Sequence, residues 1–567
     1  MGIGTTRIED RIDAWRGDTA EATTELGNHH SVINAGVLLS IPALYGQGLE
    51  KILKTFEPLS KGFYGLTHIV LLMCFMALSR IKSAEGLKLY SPGELGKLLG
   101  LDRVPEVGCF RGKVTQLVEQ CKCDLLQDAL YDDWDNQMDE KSLYYIDGHV
   151  RIYTGDKANL PKKYVSRQKL CLPATVEFWV NTQTGLPLLC IIGELTEGLK
   201  QSIEQFIAYK ISKTTEEELK ELKETKKVWF TLVFDREAYE PAWFKKLWDD
   251  HRIAIITYRK GVKDKWDEFR FQPYEILISN NKSTMQICEQ GSLIQDIWFR
   301  EVRKLNVNGH QTSIITTHPS IDITTIAKNM LSRWTQENYF KYAIENFDID
   351  YMVQYGTEQV EGTHKVVNPE YRHLDNEIKS IRAKLKREQA GLYQLTENLT
   401  IEKIEDQILK DKIEAKITIE KQYKNELLDL IVKRKSTPYK ITLDQMPEQI
   451  RHNKLKTESK KLKNIIVMLC YRAECAIKNI IAPVYKNTDN DGRKLIQEIF
   501  TTDADLAVDN QAKTFTVTLH TLSSPRHNEA ASILCQVLTD MKAIYPGTNM
   551  RLIYKTHAHQ LTKDSEV

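Results

Sequence analysis

Two short apolar runs, each followed at once by an aspartate, most constrain the fold of this chain. The first run ends with Ile146 before Asp147 and Gly148, and the second ends with Phe234 before Asp235. Each run predicts a buried strand, and we expect the first strand to end at its aspartate and to turn sharply at Gly148. Strand ends in an α/β sheet meet in the crevice at its carboxyl edge, so the two aspartates converge if their strands are neighbours.

A third acid, Glu337, lies in a segment with helical periodicity. A helix that crosses the same edge of the sheet would bring Glu337 to the two aspartates. Three carboxylates suit Mg²⁺ or Mn²⁺, and two such ions about 4 Å apart would stabilise the attacking and leaving oxygens of a phosphoryl displacement. The predicted chemistry is therefore phosphodiester cleavage or transfer, although any one of these acids taken alone could be a turn residue or a helix cap.

These segments resemble the catalytic core of bacterial insertion-sequence DDE transposases, which have an RNase H-like fold. The resemblance lies in Tyr145 to His149, in Phe234 to Tyr239 and in Arg333 to Phe340, and it covers about residues 140–350. It implies a site with two Mg²⁺ or Mn²⁺ ions, in which the catalytic and metal-binding residues are Asp147, Asp235 and Glu337.

One branch of these transposases is named for a Tyr, Arg, Glu and Lys signature on the catalytic helix. Arg333 and Glu337 keep the interval of that branch, whereas Met330 and Ile344 stand where the branch has its Tyr and its Lys. The chain is therefore similar to this branch and departs from its signature. Arg333, Glu337 and Lys341 share one face of the predicted helix, where the alternative to phosphate binding is a solvated ladder of ion pairs.

Basic and aromatic residues near the three acids are candidates for DNA contacts, because such side chains commonly bind backbone phosphates. The long interval before Glu337 predicts a β-rich insertion, as in related transposases, and in members that cut through a DNA hairpin an aromatic residue there stacks on a flipped base. The predicted DNA-binding residues are His149, Arg151, Lys162, Lys163, Arg167, Arg236, Trp298, Arg300, Arg303, Arg333 and Lys341. The alternatives are a turn-stabilising role for His149, an exposed charged hairpin around Lys162 and a packed side chain for Trp298.

With 567 residues the chain should contain several domains. The predicted fold class is multidomain α/β, with an RNase H-like mixed-sheet core. The predicted divisions are 1–139, a mostly helical N-terminal region; 140–365, the catalytic domain with its β-insertion at about 265–325; 366–435, a coiled-coil arm; and 436–567, a basic segment with a small C-terminal α/β unit.

Three stretches outside the core carry further expectations. Residues 91–120 predict two helices around a glycine-containing turn, which is consistent with a DNA-binding helix-turn-helix and equally with a small helical bundle. Apolar residues at 3-4 spacing favour a coiled coil over 366–435, for dimerisation or for DNA, with an intramolecular helical hairpin as the alternative. Residues 433–463 contain ten basic residues against three acidic ones, which favours DNA backbone contact over a charged linker.

The overall composition sets further limits. The formal net charge of +1 gives no global sign of nucleic-acid binding. The ten cysteines show no paired C-x-x-C spacing, which argues against a zinc site and favours reduced cytosolic thiols. The most apolar run, Ile69 to Leu78, is too short to cross a bilayer. We expect a cytoplasmic bacterial protein that associates with the nucleoid when bound to DNA.

The predicted function is that of a DDE transposase, which cleaves DNA at transposon ends and transfers the ends to target DNA. The expected partners are double-stranded DNA, with its terminal inverted repeats and its target site, and a second copy in a homodimer on paired ends. Two alternatives stay open: an RNase H-like nuclease or resolvase, and a non-catalytic DNA-binding descendant of a transposase. The three acids argue against the second, because a binding-only protein has no chemical need for them.

Overall fold

The computed structural model describes residues 4–60, 62–138, 143–193, 197–278, 281–331, 334–350, 356–397, 407–448, 451–484 and 491–557, with the backbone alone at 278, 281 and 334–337. Its helices are α1 (Ile8–Arg16), α2 (Ile41–Gly46), α3 (Leu49–Thr55), α4 (Leu66–Leu78), α5 (Pro92–Lys97), α6 (Val107–Glu119), α7 (Cys123–Asn136), α8 (Leu199–Ser212), α9 (Glu216–Thr225), α10 (Pro241–His251), α11 (Ile323–Leu331), α12 (Trp334–Phe347), α13 (Pro369–Glu397), α14 (Gln407–Ser436), α15 (Glu458–Ile481), α16 (Arg493–Thr501) and α17 (Pro525–Asp540). Its strands are β1 (His29–Val32), β2 (Leu143–Ile152), β3 (Lys162–Val165), β4 (Leu170–Thr182), β5 (Pro187–Gly193), β6 (Phe230–Phe234), β7 (Ile253–Tyr258), β8 (Gln272–Ile278), β9 (Asn281–Ile294), β10 (Ile297–Leu305), β11 (Gln311–Thr316), β12 (Thr357–Glu358), β13 (Lys365–Val367), β14 (Lys440–Thr442), β15 (Lys454–Leu455), β16 (Ala504–Asp509), β17 (Thr514–Leu519) and β18 (Arg551–Thr556).

A mixed sheet of ten strands lies at the centre of the molecule. Strands β2, β4 and β5 pair antiparallel in succession, and β6 and β7 continue the sheet parallel to β2 on its other side. Strands β8 to β11 extend the same sheet, because β11 pairs antiparallel with β7. The strands expected between 265 and 325 are therefore present and continue the central sheet.

The two faces of the central sheet are covered by different helices, because alternate residues of a strand point to opposite faces. On one face the ring of Tyr144 lies edge-on to that of Phe206 in α8, with centroids 5.4 Å apart. On the other face Tyr145 and Leu143 share a buried apolar cluster with Met330 of α11. The sheet is thus a buried layer between helices, which explains why its strands β6 and β7 are apolar at almost every position.

The prediction that the first strand turns at Gly148 is wrong. Strand β2 continues through Gly148 to Ile152 and stays paired with β4 over that length. The glycine serves close packing instead, since a Cβ at this position would lie 3.0 Å from Cε1 of the Phe178 ring. A glycine inside a strand pattern marks either a bend or a close approach, and the local sequence does not separate the two.

Helix α15 is the central helix of the core, and both terminal regions pack around it. It contacts α2, α4, α6 and α7 of the N-terminal region, α16 and α17 of the C-terminal region, and β5 of the central sheet. A second sheet joins the same two regions, in the order β1-β16-β17-β18, with β1 antiparallel to β16. The N-terminal and C-terminal regions thus share one sheet and one hydrophobic core.

Helices α13 and α14 pack against each other as an antiparallel hairpin. Ion pairs join Lys416 to Glu388 at 2.6 Å and Arg434 to Asp375 at 2.8 Å. These contacts within one chain agree with the intramolecular helical hairpin, which was the alternative to a coiled-coil arm. Burial is confined to the base of α13, at Leu374, Ile378 and Ile381.

The two helices predicted in residues 91–120 are present as α5 and α6. Of the basic residues on the second helix, Arg111 pairs with Glu85 at 2.9 Å, and Lys113 is buried and donates to the Ser60 carbonyl at 2.9 Å. Lys113 is therefore part of the packing of the helical region. Within the residues described, no helix is both long and apolar enough to cross a membrane.

The packing of Gly148 gives a testable prediction. Gly148→Ala should lower the free energy of unfolding by about 1–3 kcal/mol, because the added methyl must displace the buried Phe178 ring. The matched control is Gly112→Ala in α6, where nothing lies within 4 Å of the place that a Cβ would take and alanine should be neutral or stabilising by up to ~1 kcal/mol. Thermal unfolding of both variants checks this, and an equal effect of both would contradict the packing role.

Candidate functional site

Asp147 and Asp235 lie side by side where the parallel pairing of β2 with β6 ends. The last pair in that register is Ile146 with Phe234. Asp147 is the next residue of β2, and Asp235 is the residue that follows the end of β6. Both side chains are half-buried. Each Oδ1 accepts a hydrogen bond from the backbone N–H of the following residue, at 2.9 Å for Asp147 and 2.7 Å for Asp235, which orients both carboxylates.

Asp147 lies on the sheet face that α11 and α12 cover. Two residues before it, the Tyr145 hydroxyl donates to the Asn329 carbonyl of α11 at 3.1 Å. Two residues after it, the His149 ring stacks on Phe340 of α12 with ring centroids 5.4 Å apart. Because residues two apart on a strand share a face, Asp147 lies between the contacts made by the two helices.

Glu337 lies in the first turn of α12, one turn before Phe340. The contact of Phe340 with His149 brings the N-terminal half of α12 over the same sheet face. The side chain of Glu337 lies outside the described residues, and so does the whole of Arg333. The roles predicted for these two side chains therefore stay predictions.

His149 is buried beside the acid pair and is fixed by an acidic partner. Its Nε2 lies 2.5 Å from Oδ1 of Asp350, and the guanidinium of Arg167 lies 3.4 Å from the other oxygen of that carboxylate. Burial opposes ionisation of Asp350, but the hydrogen bond and charge of His149 and the charge of Arg167 outweigh it and lower its pKa. The imidazole is thus held in one orientation next to β2.

A fully buried carboxylate, Glu177, lies opposite His149 on β4. Its Oε1 is 2.8 Å from Nε of Arg151 and 3.6 Å from Nζ of Lys460, and its Oε2 accepts from the Asn464 amide at 3.2 Å. Burial opposes its ionisation, yet the charges of Arg151 and Lys460 lower its pKa. We call Arg151, Glu177 and Lys460 the buried ion cluster; it joins β2 and β4 to α15.

Two lysines of the basic stretch 433–463 point into the protein. Lys460 donates to the carbonyl of Ile349, and Lys463 donates to the carbonyl of Asp348. Burial lowers the pKa of Lys460 to about 8 and that of Lys463 to about 7. The expectation that the whole stretch offers its charge to DNA is wrong for these two residues, because their ammonium groups satisfy backbone carbonyls.

The other described residues that were predicted to bind DNA fall into two groups, those exposed at the surface and those with partners inside the protein. Side chains at the surface are Lys162, Arg167, Arg236 and Lys341, and Trp298 is 70% exposed. Side chains with protein partners are Lys163, which donates to the Glu197 carbonyl, Arg300, which forms a bidentate pair with Glu289, and Arg303, which pairs with Glu301 and Asp264. Phosphate contact by the second group stays a prediction, and the structure gives those residues, like Arg151, partners inside the protein.

Of the buried ion cluster, Arg151 and Lys460 were expected only as DNA contacts, and Glu177 was not predicted to have a role. Glu177 stands in the largely apolar segment Ala174 to Val180, and an acid at such a position signals a buried, paired charge. Lys460 and Lys463 gave no such signal, because they lie in a stretch rich in lysine.

The sequence model of one protein family matches residues 2–558, and that family is described as transposase protein. The match covers nearly the whole chain, including the acid pair, the central sheet and both terminal regions. No curated protein and no solved structure gave a significant match.

The depressed pKa of Lys463 predicts how stability varies with pH. Its pKa is about 7 in the folded chain, against an ordinary value of 10.5, so the unfolded chain binds more protons at this position between those values. Stability contributed by this position is therefore lowest below pH 7 and rises with pH through that window. Relative to Lys463→Met, the wild type should gain about 1–2 kcal/mol between pH 7 and pH 9, measured by urea unfolding.

The matched control for this measurement is Lys461→Met, in the same helix, where the side chain pairs with the exposed Asp124. This variant shows how the loss of any one lysine changes the pH dependence of the free energy of unfolding. The same trend relative to both variants would contradict a specific role for the burial of Lys463.

Proposed function

The chain belongs to the transposase protein family, and we propose that it is a DDE transposase. In this proposal it hydrolyses the phosphodiester at each end of its own element and then joins the freed 3′-hydroxyl to target DNA. The observation that carries the proposal is the placement of Asp147 next to Asp235, on the sheet face covered by the helix that contains Glu337.

The topology of the central sheet supports an RNase H-like core. Such folds begin with an antiparallel meander followed by a helix, and β2, β4 and β5 followed by α8 have that arrangement. Strands β6 and β7 then lie parallel to β2 on its other edge. The arrangement brings the end of β6 against the middle of β2, which is why the two aspartates are neighbours.

Asp147, Asp235 and Glu337 are the residues that would hold Mg²⁺ or Mn²⁺. The donor set fits these hard cations, which bind a few carboxylates and keep waters and phosphate oxygens as their other ligands. Both aspartates are half-buried and so remain accessible to an ion and to a substrate. When bound, two such ions would activate the attacking water and neutralise charge on the reacting phosphate.

The neighbouring residues have separate roles in this proposal. His149 is fixed between Asp350 and Phe340, and it holds in place the part of β2 that carries Asp147. Arg167 is more than half exposed and reaches the same Asp350, so it is the cation best placed to bind a DNA phosphate beside the acid pair. Lys162 and Lys341 are exposed cations that would extend this contact along the backbone.

The proposed partners are double-stranded DNA carrying the terminal inverted repeats, target DNA, and a second copy of the chain on the paired ends. The hairpin of α13 and α14 is the proposed arm for that assembly. Its outer surface has many charged residues and few buried ones, which suits a solvated arm that contacts DNA or the partner copy.

The catalytic role of the acid pair is tested with Asp235→Ala. Labelled DNA that carries the terminal repeats should be nicked at the ends by the wild type with Mg²⁺ or Mn²⁺, and the variant should be slower by more than about a hundredfold, because a metal ligand is lost. The matched control is Glu217→Ala, which removes an exposed acid from α9 and should leave the rate unchanged.

The outcomes of that assay separate the candidate functions. Cleavage followed by joining to target DNA supports a transposase, whereas cleavage without joining would favour the nuclease alternative. DNA binding without cleavage by the wild type would overturn the catalytic proposal and leave a DNA-binding protein.

Trp298 gives a second test of the proposal. Its ring is 70% exposed on β10, so it can stack on a base that leaves the duplex. Loss of one base–aromatic stack costs about 1–3 kcal/mol, so Trp298→Ala should weaken hairpin-end binding by roughly ten- to a hundredfold. Fluorescence of 2-aminopurine at the terminal base measures the stacking directly.

The control for this test is Trp15→Ala, since Trp15 of α1 is another exposed tryptophan, with 86% of its surface free. Unchanged fluorescence in Trp298→Ala, or an equal loss in Trp15→Ala, would contradict the assignment.

A further inference from the structure

Asp505, His520 and His557 form a cluster on the four-stranded sheet. Nε2 of His520 lies 3.1 Å from Oδ1 of Asp505, and Nε2 of His557 lies 3.0 Å from Oδ2 of the same carboxylate. The three potential ligand atoms all lie within 4.8 Å of one another. We call these residues the His–Asp cluster.

The pairing of the strands creates this cluster. Strands β17 and β18 are parallel, and their last pair is Leu519 with Thr556, so His520 and His557 take adjacent positions just beyond it. Asp505 lies on β16, whose antiparallel pairing with β17 sets it opposite Thr518. Residues that are distant in sequence are thus brought together by register.

A fourth strand adds a further imidazole and a backbone donor. On β1, Nδ1 of the exposed His30 lies 3.7 Å from Oδ1 of Asp505, and the N–H of Ser31 donates to the same oxygen at 2.8 Å. Asp505, His520 and His557 keep about a quarter to a third of their surface exposed, so the cluster is open to solvent.

We propose that the His–Asp cluster binds one divalent transition-metal ion, with Zn²⁺ as the first candidate. Two imidazole nitrogens and a carboxylate oxygen are a known three-ligand set for zinc, and the fourth position would take a water or His30. Two donors on one tetrahedral zinc lie about 3.3 Å apart, which is close to the present 3.0 and 3.1 Å between each imidazole nitrogen and the carboxylate. The two imidazole nitrogens, which lie within 4.8 Å of each other, would have to reach the same spacing.

The surroundings of the cluster suit a metal site. The N–H of Ser31 holds the Asp505 carboxylate in place, as an outer partner of a ligand commonly does. Imidazole donors favour zinc over Mg²⁺, so this ion would differ from the one proposed at Asp147.

The bound ion would link the N-terminal region of the chain to its C-terminal region. His520 follows the central strand β17, His557 follows the edge strand β18, and His30 comes from the N-terminal region. The expectation that the chain has no zinc site rested on cysteine spacing, which takes no account of histidines that only the fold brings together.

The test uses the full chain, stripped with a chelator and then dialysed against Zn²⁺ in excess Mg²⁺. We expect one tightly bound Zn²⁺ per chain, a rise in the unfolding temperature on zinc addition, and the visible absorption of a tetrahedral site when Co²⁺ replaces zinc. His520→Ala should lose the bound metal and both other signals.

Two further variants keep the result interpretable. His557→Gln can still donate a hydrogen bond to Asp505 but is a poor zinc ligand, so it should keep the fold and lose the metal. His527→Ala is the matched control, because His527 pairs with Glu498 at 2.6 Å and, in the described part of the chain, belongs to no group of three ligands.

The outcomes decide the proposal. Loss of zinc in His520→Ala and His557→Gln, with retention in His527→Ala and in Asp235→Ala, supports the site and separates it from the proposed catalytic acids. A wild type that binds no zinc, or a His557→Gln variant that binds it as tightly as the wild type, would overturn it and leave two histidines hydrogen-bonded to one carboxylate.

Discussion

The geometry of the candidate site depends on one buried charge, the carboxylate of Glu177. A carboxylate without solvent is costly, and it is stable here because Arg151 and Lys460 approach the same oxygen. Removing the Glu177 carboxylate would take away the counter-charge that Arg151 and Lys460 share, and breaking a buried ion pair typically costs about 3–5 kcal/mol. Since Arg151 lies on β2 and Lys460 on α15, the cluster fixes the strand that carries Asp147 against the central helix of the core.

The same helix also positions α12. Lys460 and Lys463 donate to the carbonyls of Ile349 and Asp348, immediately after the end of α12. Hydrogen-bond donors next to a helix C-terminus satisfy carbonyls that have no partner within the helix. One end of α12 is thus held by α15 and its middle by the stacking of Phe340 on His149, so the helix that contains Glu337 is tied to β2 at two points.

The local sequence was enough to predict the strands that lead into Asp147 and Asp235, because apolar runs and period-2 alternation are local signals. It predicted a turn at Gly148 where the structure has a continuous strand, since the contact that demands glycine there comes from Phe178 on another strand. The pairing of β1 with β16 and the burial of Lys460 could not be predicted for the same reason: each depends on segments hundreds of residues apart. The position of the Glu337 side chain next to the two aspartates stays a prediction.

The chain presents two donor sets of different chemistry, and this difference bears on how each could work. Carboxylates alone hold hard cations loosely, with waters that exchange, which suits a site where a phosphate must enter and leave. Two imidazoles and a carboxylate hold a softer cation more firmly and in fewer positions, which suits a link between strands. The carboxylates of the first set lie where a strand ends beside the middle of its neighbour, whereas the histidines of the second follow two parallel strands that end together. Register therefore brings each donor set together, and the kind of residue placed there would decide which ion each proposed site selects.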